Sequence, residues 1–172
     1  MLGYHDHYVV DGGKARIILA ALVTPAAIMD NTPMLDLARW VRFRWHLHPQ
    51  IAEGDTRYGT VANIVGPERD GIRAYLPTAD LRQRSGFYPA DQDQYWCPQG
   101  QALPLYSRRE SEEVLVYRAA AAECNVCPVK KCCTDSQSRC HLFRSFFQEE
   151  LERAEQYRQT AAYQKALRKR GV

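Results

Sequence analysis

The longest uninterrupted apolar stretch of this 172-residue chain runs from Ile17 to Val23, and it constrains the fold more than any other feature. It is long enough for a buried strand but far short of the roughly 18 apolar residues that a membrane-spanning helix needs. Before it lies Tyr4–Asp11, which is rich in aromatic and β-branched residues and is followed by a turn signal, Gly12-Gly13. These features predict a β-hairpin whose second strand, Arg16–Thr24, is buried on both faces.

The order of patterns that follows predicts an α/β domain. After the hairpin come a helix, a short strand, a second helix and another strand. The first helix is predicted to have Asn31 or Thr32 as its N-cap and Pro33 in its first turn, and to end at Pro49. The two strands are predicted at Ile51–Asp55 and Gly71–Leu76, and the second helix is predicted to begin with Tyr58–Val65 and to break near Gly66-Pro67. Because strands joined through a helix pair in parallel, the later strands should run parallel.

Composition then changes, and three parts are predicted. Residues 1–78 form the α/β core, and residues 79–141 form an inserted Cys-rich β module with a hairpin of Leu103–Tyr106 and Val114–Tyr117. Residues 142–172 form one long helix that leads back to the core. Apolar residues recur on one side of this last segment, and its acidic start and basic end complement a helix dipole.

Charge indicates one place where nucleic acid could bind. The net charge of +3 is too small to indicate DNA binding by itself. Four basic residues nevertheless lie at the C-terminal end and could contact phosphates: Lys165, Arg168, Lys169 and Arg170. Of these, Lys165, Arg168 and Lys169 share one side of the predicted helix. The alternative is a solvated helix end. The N-terminus lacks a secretory signal pattern, so we expect a cytoplasmic protein that makes no membrane contact.

Six cysteines lie in the second half of the chain: Cys97, Cys124, Cys127, Cys132, Cys133 and Cys140. In a reducing cytoplasm, clustered cysteines favour metal binding over disulfides. The pair Cys124-x-x-Cys127 and the turn at Cys97 fit a tetrahedral zinc site, whose fourth ligand this spacing leaves open among Cys132, Cys133 and Cys140, with His141 as a weaker candidate. The alternative is a set of metal-free thiols packed in a small hairpin module.

One carboxylate stands at the end of a predicted strand. Asp55, in Gly54-Asp55-Thr56-Arg57-Tyr58-Gly59, follows a strand and precedes a helix, where α/β sheets place ligand-binding groups. The same position suits an Asp that caps the following helix. The sequence of this segment leaves both roles open.

Several separate motifs resemble DDE-type bacterial insertion-sequence transposases. They are Gly3–Asp11, Ala20–Thr32, Gly54-Asp55-x-x-Tyr58-Gly59, Cys97-Pro98-Gln99-Gly100, Cys124-x-x-Cys127-Pro128 and Ala161–Arg170. The resemblance implies an RNase H-like core, a mixed sheet with flanking helices, that gathers three carboxylates around two Mg²⁺ or Mn²⁺ ions. It implies that Asp55 is the second carboxylate and Cys133 the fourth zinc ligand. Its implied partners are the DNA of transposon ends and other transposase chains.

The chain also departs from the family pattern. In the family the first carboxylate precedes the segment that resembles residues 2–11, and the last follows the basic segment at 165–170, so we expect one of three metal ligands here. Three other carboxylates could replace the missing metal ligands: Asp6, Asp11 and Asp30. Roles in turns or as helix caps explain each of them as well. We therefore expect a transposase fragment that is inactive alone. The alternative is a non-catalytic, zinc-bearing module that binds nucleic acid or regulates a full-length transposase.

Overall fold

The computed structural model describes residues 3–77, 87–90 and 93–170. The chain divides into two compact units. We call Met1–Leu81 with Glu149–Val172 the core unit, and Arg82–Gln148 the Cys unit. Helices and strands occur together, which confirms a mixed α/β protein. The predicted boundary between residues 78 and 79 lies outside the described residues.

The N-terminal hairpin is confirmed. Strand β1 (Tyr4–Val10) pairs antiparallel with β2 (Ile18–Pro25). Helix α1 (Met34–Trp45) packs on one face of this hairpin through Leu37 and Val41, which contact Ala20 of β2. Alternation of side chains along each strand therefore gives the hairpin one buried face and one outer face.

The prediction that the second strand is buried on both faces is wrong. Ile18 and Val23 are 57% and 59% exposed. A strand is buried on both faces only when a layer of structure covers each face. In the part of the chain that the structure describes, α1 covers one face, and the apolar run of β2 leaves half of its side chains on the other.

Helix α1 lies where the sequence predicts a helix, but both of its ends differ from the prediction. Pro33, and not Asn31 or Thr32, takes the N-cap position, and no side chain caps this end. The predicted stop was Pro49, whereas the helix ends at Trp45 and His46 takes a left-handed conformation with φ of 52°. A left-handed residue after the last turn is a common way to terminate a helix. The chain therefore leaves the helix before the proline is reached.

The predicted parallel pair is present. Strand β3 (Ile51–Glu53) runs parallel to β4 (Arg73–Tyr75), and a short 3-10 helix (Thr56–Tyr58) and α2 (Val61–Arg69) connect them. The predicted second helix is present, but it begins at Val61 and not at Tyr58, and it is not broken near Gly66-Pro67. Thr60 caps α2 by accepting a hydrogen bond from the Asn63 N–H (3.3 Å). Pro67 lies in the last turn, where its missing N–H costs one helical hydrogen bond, and its ring is buried.

The C-terminal segment is not one long helix. His141–Ser145 forms a strand, β9, and two helices follow, α5 (Gln148–Arg158) and α6 (Ala161–Arg170). Thr160 separates the helices: its hydroxyl donates to the Tyr157 carbonyl (2.7 Å) and accepts from the Tyr163 N–H (3.2 Å). One side chain thereby stabilises the end of α5 and the start of α6.

Helices pack on both faces of the parallel pair. Neighbouring residues of β4 point to opposite faces, so Ala74 packs with Ile64 of α2 and Leu151 of α5, whereas Tyr75 packs against Tyr163 of α6 with ring centroids 5.2 Å apart. This arrangement brings the C-terminal helices into the core unit.

The Cys unit contains a five-stranded antiparallel sheet. The strands β5 (Tyr88–Ala90), β6 (Gln94–Trp96), β7 (Ala102–Arg109), β8 (Val114–Arg118) and β9 are neighbours in sequence order. The predicted hairpin corresponds to β7 and β8 and is confirmed, with a longer first strand. Two short helices, α3 (Ala121–Asn125) and α4 (Lys130–Cys133), connect β8 to β9 and carry three of the cysteines. The described part of the chain holds no helix that is both long and apolar enough to cross a membrane.

Candidate functional site

Asp55 lies just after β3 and caps the 3-10 helix that follows. Its Oδ1 accepts a hydrogen bond from the backbone N–H of Arg57 at 2.8 Å. The capping role that the sequence left open is therefore filled, and the side chain also faces a cavity. The turn holds the carboxylate in place and uses part of its hydrogen-bonding capacity.

A second carboxylate, Asp30, lies on the same cavity. Its Oδ1 is bonded to the His5 ring, and its Oδ2 accepts from the Arg57 guanidinium at 3.2 Å. The hydrogen bond from His5, together with the charges of His5 and Arg57, holds the pKa of Asp30 below its usual value. Both oxygens of Asp30 are thus engaged by protein donors.

Hydrogen bonds from side chains to backbone carbonyls connect the turn that carries Asp55 to the segment after β2. The Asn31 side chain donates to the Arg57 carbonyl at 2.8 Å, and the Asn63 side chain donates to the Asn31 carbonyl at 3.0 Å. Burial raises the pKa of the neighbouring Tyr58 hydroxyl, and the charges of Asp55 and Asp30 raise it further. Segments distant in sequence therefore build one polar site.

The cavity itself is open to solvent and has a volume of about 310 Å³. It is lined by polar and charged side chains: His5, Asp6, His7, Asp30, Asp55, Arg57 and Tyr58. Of the three substitute carboxylates, Asp6 and Asp30 line the cavity with Asp55. Asp11 does not, since it accepts a hydrogen bond from the Ile17 N–H (2.9 Å) in the hairpin turn, as the sequence predicts.

The carboxylates of the described residues do not fit a two-metal centre. Within residues 3–77, 87–90 and 93–170, no three Asp, Glu, His or Cys side chains are arranged to hold a metal ion. Mg²⁺ and Mn²⁺ need several oxygen ligands free of competing donors. Asp55 and Asp30 instead bond to Arg57 and His5, so these residues alone do not provide a divalent cation site.

In the Cys unit, Cys97 lies in a tight turn that directs backbone donors at its sulfur. The N–H groups of Gln99 and Gln101 both lie 3.4 Å from Sγ of Cys97, and Gly100 has a positive φ of 72° that this turn requires. The turn thus fixes the position of a sulfur that could serve as a metal ligand. This local geometry matches the turn that the sequence predicts.

The other predicted thiols lie around the same centre. Cys97, Cys124 and Cys133 pack against the core formed by Leu103 and Tyr117. Burial raises the pKa of the Cys133 thiol, and it is raised further by the charges of its neighbours, in the order Cys97, Cys127, Cys132 and Cys124. The other three predicted ligands are thus within electrostatic range of Cys133, but no three of these thiols are arranged as metal ligands among the described residues.

The two alternative fourth ligands differ in their surroundings. Cys140 is buried in the core; its N–H donates to Sγ of Cys124 (3.2 Å), and its own thiol lies 3.9 Å from the His141 carbonyl. Cys132 is exposed. The thiol at Cys133 lies between these extremes, half-buried beside the other cysteines.

The basic end of α6 presents an exposed face. Lys165, Arg168 and Lys169 are exposed, whereas Tyr163 and Ala166 on the opposite side are buried. The side chain of Arg170 lies outside what the structure describes. Three of the four predicted DNA contacts therefore share one solvent-facing surface.

Sequence reasoning missed the association of His5, Asp30 and Arg57. These residues lie in separate segments, and each has an ordinary local explanation. The only signal was position: Asp30 follows the hairpin and Arg57 follows Asp55, so both lie in connections after strands, where polar sites of α/β proteins form.

These observations describe an α/β protein with a strand-end carboxylate and an antiparallel Cys-bearing unit. Residues 96–172 match the family model described as the transposase DDE domain, and this match confirms the resemblance to DDE-type transposases. The matched residues run from β6 to the C-terminus, so Asp55 lies outside them. The searches of curated proteins and of solved structures each found no match.

Proposed function

We propose that this chain is a transposase-family protein that binds the DNA of transposon ends and does not cleave DNA by itself. The observation that carries the proposal is the match of residues 96–172 to the transposase DDE domain. DNA cleavage and strand transfer in such proteins use divalent cations that activate a hydroxyl nucleophile. The chain's proposed place is within that machinery, in the cytoplasm and together with other transposase chains.

Asp55 is the proposed catalytic carboxylate, in a core unit of RNase H-like type. The parallel pair with helices on both faces supports this assignment, as does the position of Asp55 just after β3 beside an open cavity. Within an intact site it would contribute one carboxylate to holding Mg²⁺ or Mn²⁺. The bonds that engage Asp30 support the second part of the proposal, that the described residues alone cannot complete such a site.

The Cys unit is proposed to bind one zinc ion through Cys97, Cys124, Cys127 and Cys133. Four thiolates suit a closed, structural zinc site. Support comes from the backbone donors aimed at Cys97 and from the electrostatic effect of the other three thiols on Cys133. Binding of the ion would draw the thiols inward and stabilise the short helices that carry them.

The face formed by Lys165, Arg168 and Lys169, with Arg170 beyond it, is proposed to contact DNA phosphates. Each contact releases condensed counterions, so binding should be weak, independent of sequence and steeply dependent on salt. With three or four contacts, affinity should fall by at least about tenfold between roughly 50 and 200 mM salt. Fluorescence anisotropy with labelled duplex DNA measures both quantities.

The matched variants are two sets of four substitutions to Gln with the same change in charge. One set changes the α6 residues, and the other changes exposed cations elsewhere: Lys14, Arg108, Arg109 and Lys131. We expect the α6 set to flatten the salt dependence and the other set to leave it nearly unchanged. Equal salt slopes for the α6 set and the parent would refute the contact.

A second candidate function is a non-catalytic, zinc-bearing module that binds nucleic acid or regulates a full-length transposase. It is favoured by the engagement of Asp30 and Asp55 by protein donors in the core unit. The DNA flanking the reading frame discriminates the two. Coding sequence for an Asp-bearing strand upstream and a Glu-bearing helix downstream supports the first function, and unrelated flanks support the second.

A further inference from the structure

The outward face of α1 carries aromatic side chains that contribute little to the core. Leu37 and Val41 point inward and are buried against the hairpin, whereas Trp40 and Phe43 point outward and are 47% and 81% exposed. The two rings are three residues apart and therefore adjacent on one helix face. Adjacent exposed apolar side chains are typical of surfaces that bind a ligand or partner, because their hydration is unfavourable and binding removes them from water.

Cations flank these rings. The Arg39 side chain is 67% exposed, and its ion pair with Asp36 on the preceding turn spans 3.8 Å. Arg44 lies on the other side, with its guanidinium 5.3 Å from the centroid of the Trp45 ring. A surface ion pair and a surface stacking contact are both weak, so a phosphate could replace Asp36 at Arg39 and Trp45 at Arg44. The face therefore combines two stacking surfaces with two accessible guanidinium groups.

The outer face of the hairpin provides a contrast within the same unit. It too exposes aromatic rings, Tyr4 and Tyr8, but the charged residue between them on β1 is Asp6. A carboxylate there disfavours a polyanion. The α1 face also carries a carboxylate, the exposed Asp36, but two arginines accompany it. The two faces therefore differ in the sign of the net adjacent charge, which is positive on α1 and negative on the hairpin.

We propose that the outward face of α1 binds single-stranded DNA, with bases stacked on Trp40 and Phe43 and phosphates paired with Arg39 and Arg44. Every base has a flat face that can stack on an aromatic ring, and Arg pairs with phosphate in a planar geometry. In duplex DNA the base faces are covered by neighbouring base pairs, so the face should prefer single strands. The inference rests on the proposed function only in that the chain binds DNA.

Anisotropy with a labelled oligothymidylate of about 12 nucleotides tests the proposal, because single-strand sites span about 4–16 nucleotides. The same strand annealed to its complement provides the duplex. The test variant is Trp40→Ala with Phe43→Ala, and the matched control is Tyr4→Ala with Tyr8→Ala. Because all four rings are at the surface, thermal unfolding should confirm that both variants fold as the parent does.

We expect the α1 variant to bind the single strand at least about tenfold more weakly, since stacking of one base on one ring is worth about that much. Its affinity for the duplex and the single-strand affinity of the control should stay within about twofold of the parent. A second variant, Arg39→Gln with Arg44→Gln, should lower the salt slope for the single strand by about 1.4, the value for two phosphate contacts.

The outcomes separate this inference from the proposed function. Unchanged single-strand binding in the α1 variant overturns the inference, and so does an equal loss for single strand and duplex. A parent that binds duplex through α6 but not the single strand overturns the inference and leaves the proposed function intact. A parent that binds neither form of DNA contradicts both.

Discussion

The reactive side chains of the Cys unit and of the core unit differ in their hydrogen-bonding surroundings. In the Cys unit, backbone N–H groups point at Sγ of Cys97 and Cys124, and the other predicted thiols lie around Cys133. In the core unit, Asp55 caps a turn and Asp30 is held by His5 and Arg57. Backbone donors point at two of the thiols, whereas Asp30 accepts hydrogen bonds from the protein at both carboxylate oxygens and Asp55 at one.

The difference follows from how far each site reaches along the chain. A tight turn and a Cys-x-x-Cys pair are local, so a few neighbouring residues position two ligands before the rest of the fold contributes. A carboxylate centre at strand ends needs side chains from several strands and helices. The local site can therefore form within one unit, whereas the distributed site is complete only when every contributing element is present.

The largest expected effect comes from removing zinc. We expect about one zinc ion per chain, bound with a free energy on the order of 10 kcal/mol, so Cys127→Ser should abolish stoichiometric zinc and unfold the Cys unit. Cys132→Ser is the matched control, because Cys132 is exposed and adjacent to the proposed ligand Cys133. Metal analysis of protein purified without added zinc, followed by circular dichroism, measures both effects.

Metal-free protein with an unchanged fold would contradict the zinc assignment. If Cys132→Ser proved damaging and Cys133→Ser harmless, only the identity of the fourth ligand would change. The core unit should keep its helical signal in either case, which sharpens the contrast between a unit that needs metal to fold and a unit that does not.

An intermediate effect is expected at high pH in the core of the Cys unit. Tyr117 is fully buried and its hydroxyl donates to Asp93 at 2.6 Å; burial and this bond raise the pKa of Tyr117 to about 12. An unfolded tyrosine ionises near pH 10. The folded state thus holds the proton more tightly, and the resulting stability is present below pH of about 10 and is lost as the pH rises to about 12.

The free energy of unfolding should therefore fall by up to about 1.4 kcal/mol per pH unit in that window. Tyr117→Phe should remove the contribution of Tyr117 to this dependence, and Tyr106→Phe, at an exposed site, should retain it. Denaturant titrations at several alkaline pH values provide the measurement. A parent and a Tyr117→Phe variant with parallel pH profiles would show that Tyr117 ionises as freely in the folded state as in the unfolded one.

The smallest effect concerns the break between α5 and α6. Thr160→Ala removes both of its hydroxyl bonds and should lower the stability of the core unit by about 1 kcal/mol. In an uninterrupted helix the same change would raise stability by a few tenths of a kcal/mol, because Ala is the better helix former. The sign of the change, measured against the exposed Thr56→Ala control, thus distinguishes two helices from one.

Periodicity predicted the hairpin, the presence of α1 and the parallel pair, because each has a pattern contained within a few turns or strands. It failed for Leu142–Ser145, whose apolar residues suit either a helix or a strand; pairing with β8, more than twenty residues away, decides for the strand. The contact between His5 and Asp30 was hidden for the same reason, since 25 residues separate them. Tertiary neighbours decide such positions, and the local sequence does not contain them.

Divalent-cation-dependent DNA cleavage by the purified chain tests the central claim most directly. The assay follows nicking of supercoiled plasmid and strand transfer with Mg²⁺ or Mn²⁺, with Asp55→Ala as the matched variant and zinc retained in both proteins. Because Asp30 and Asp55 are engaged by protein donors, we predict no metal-dependent product from the parent and no difference between parent and variant. Nicking that requires the cation and disappears in Asp55→Ala would contradict the account and would show that another side chain completes the site.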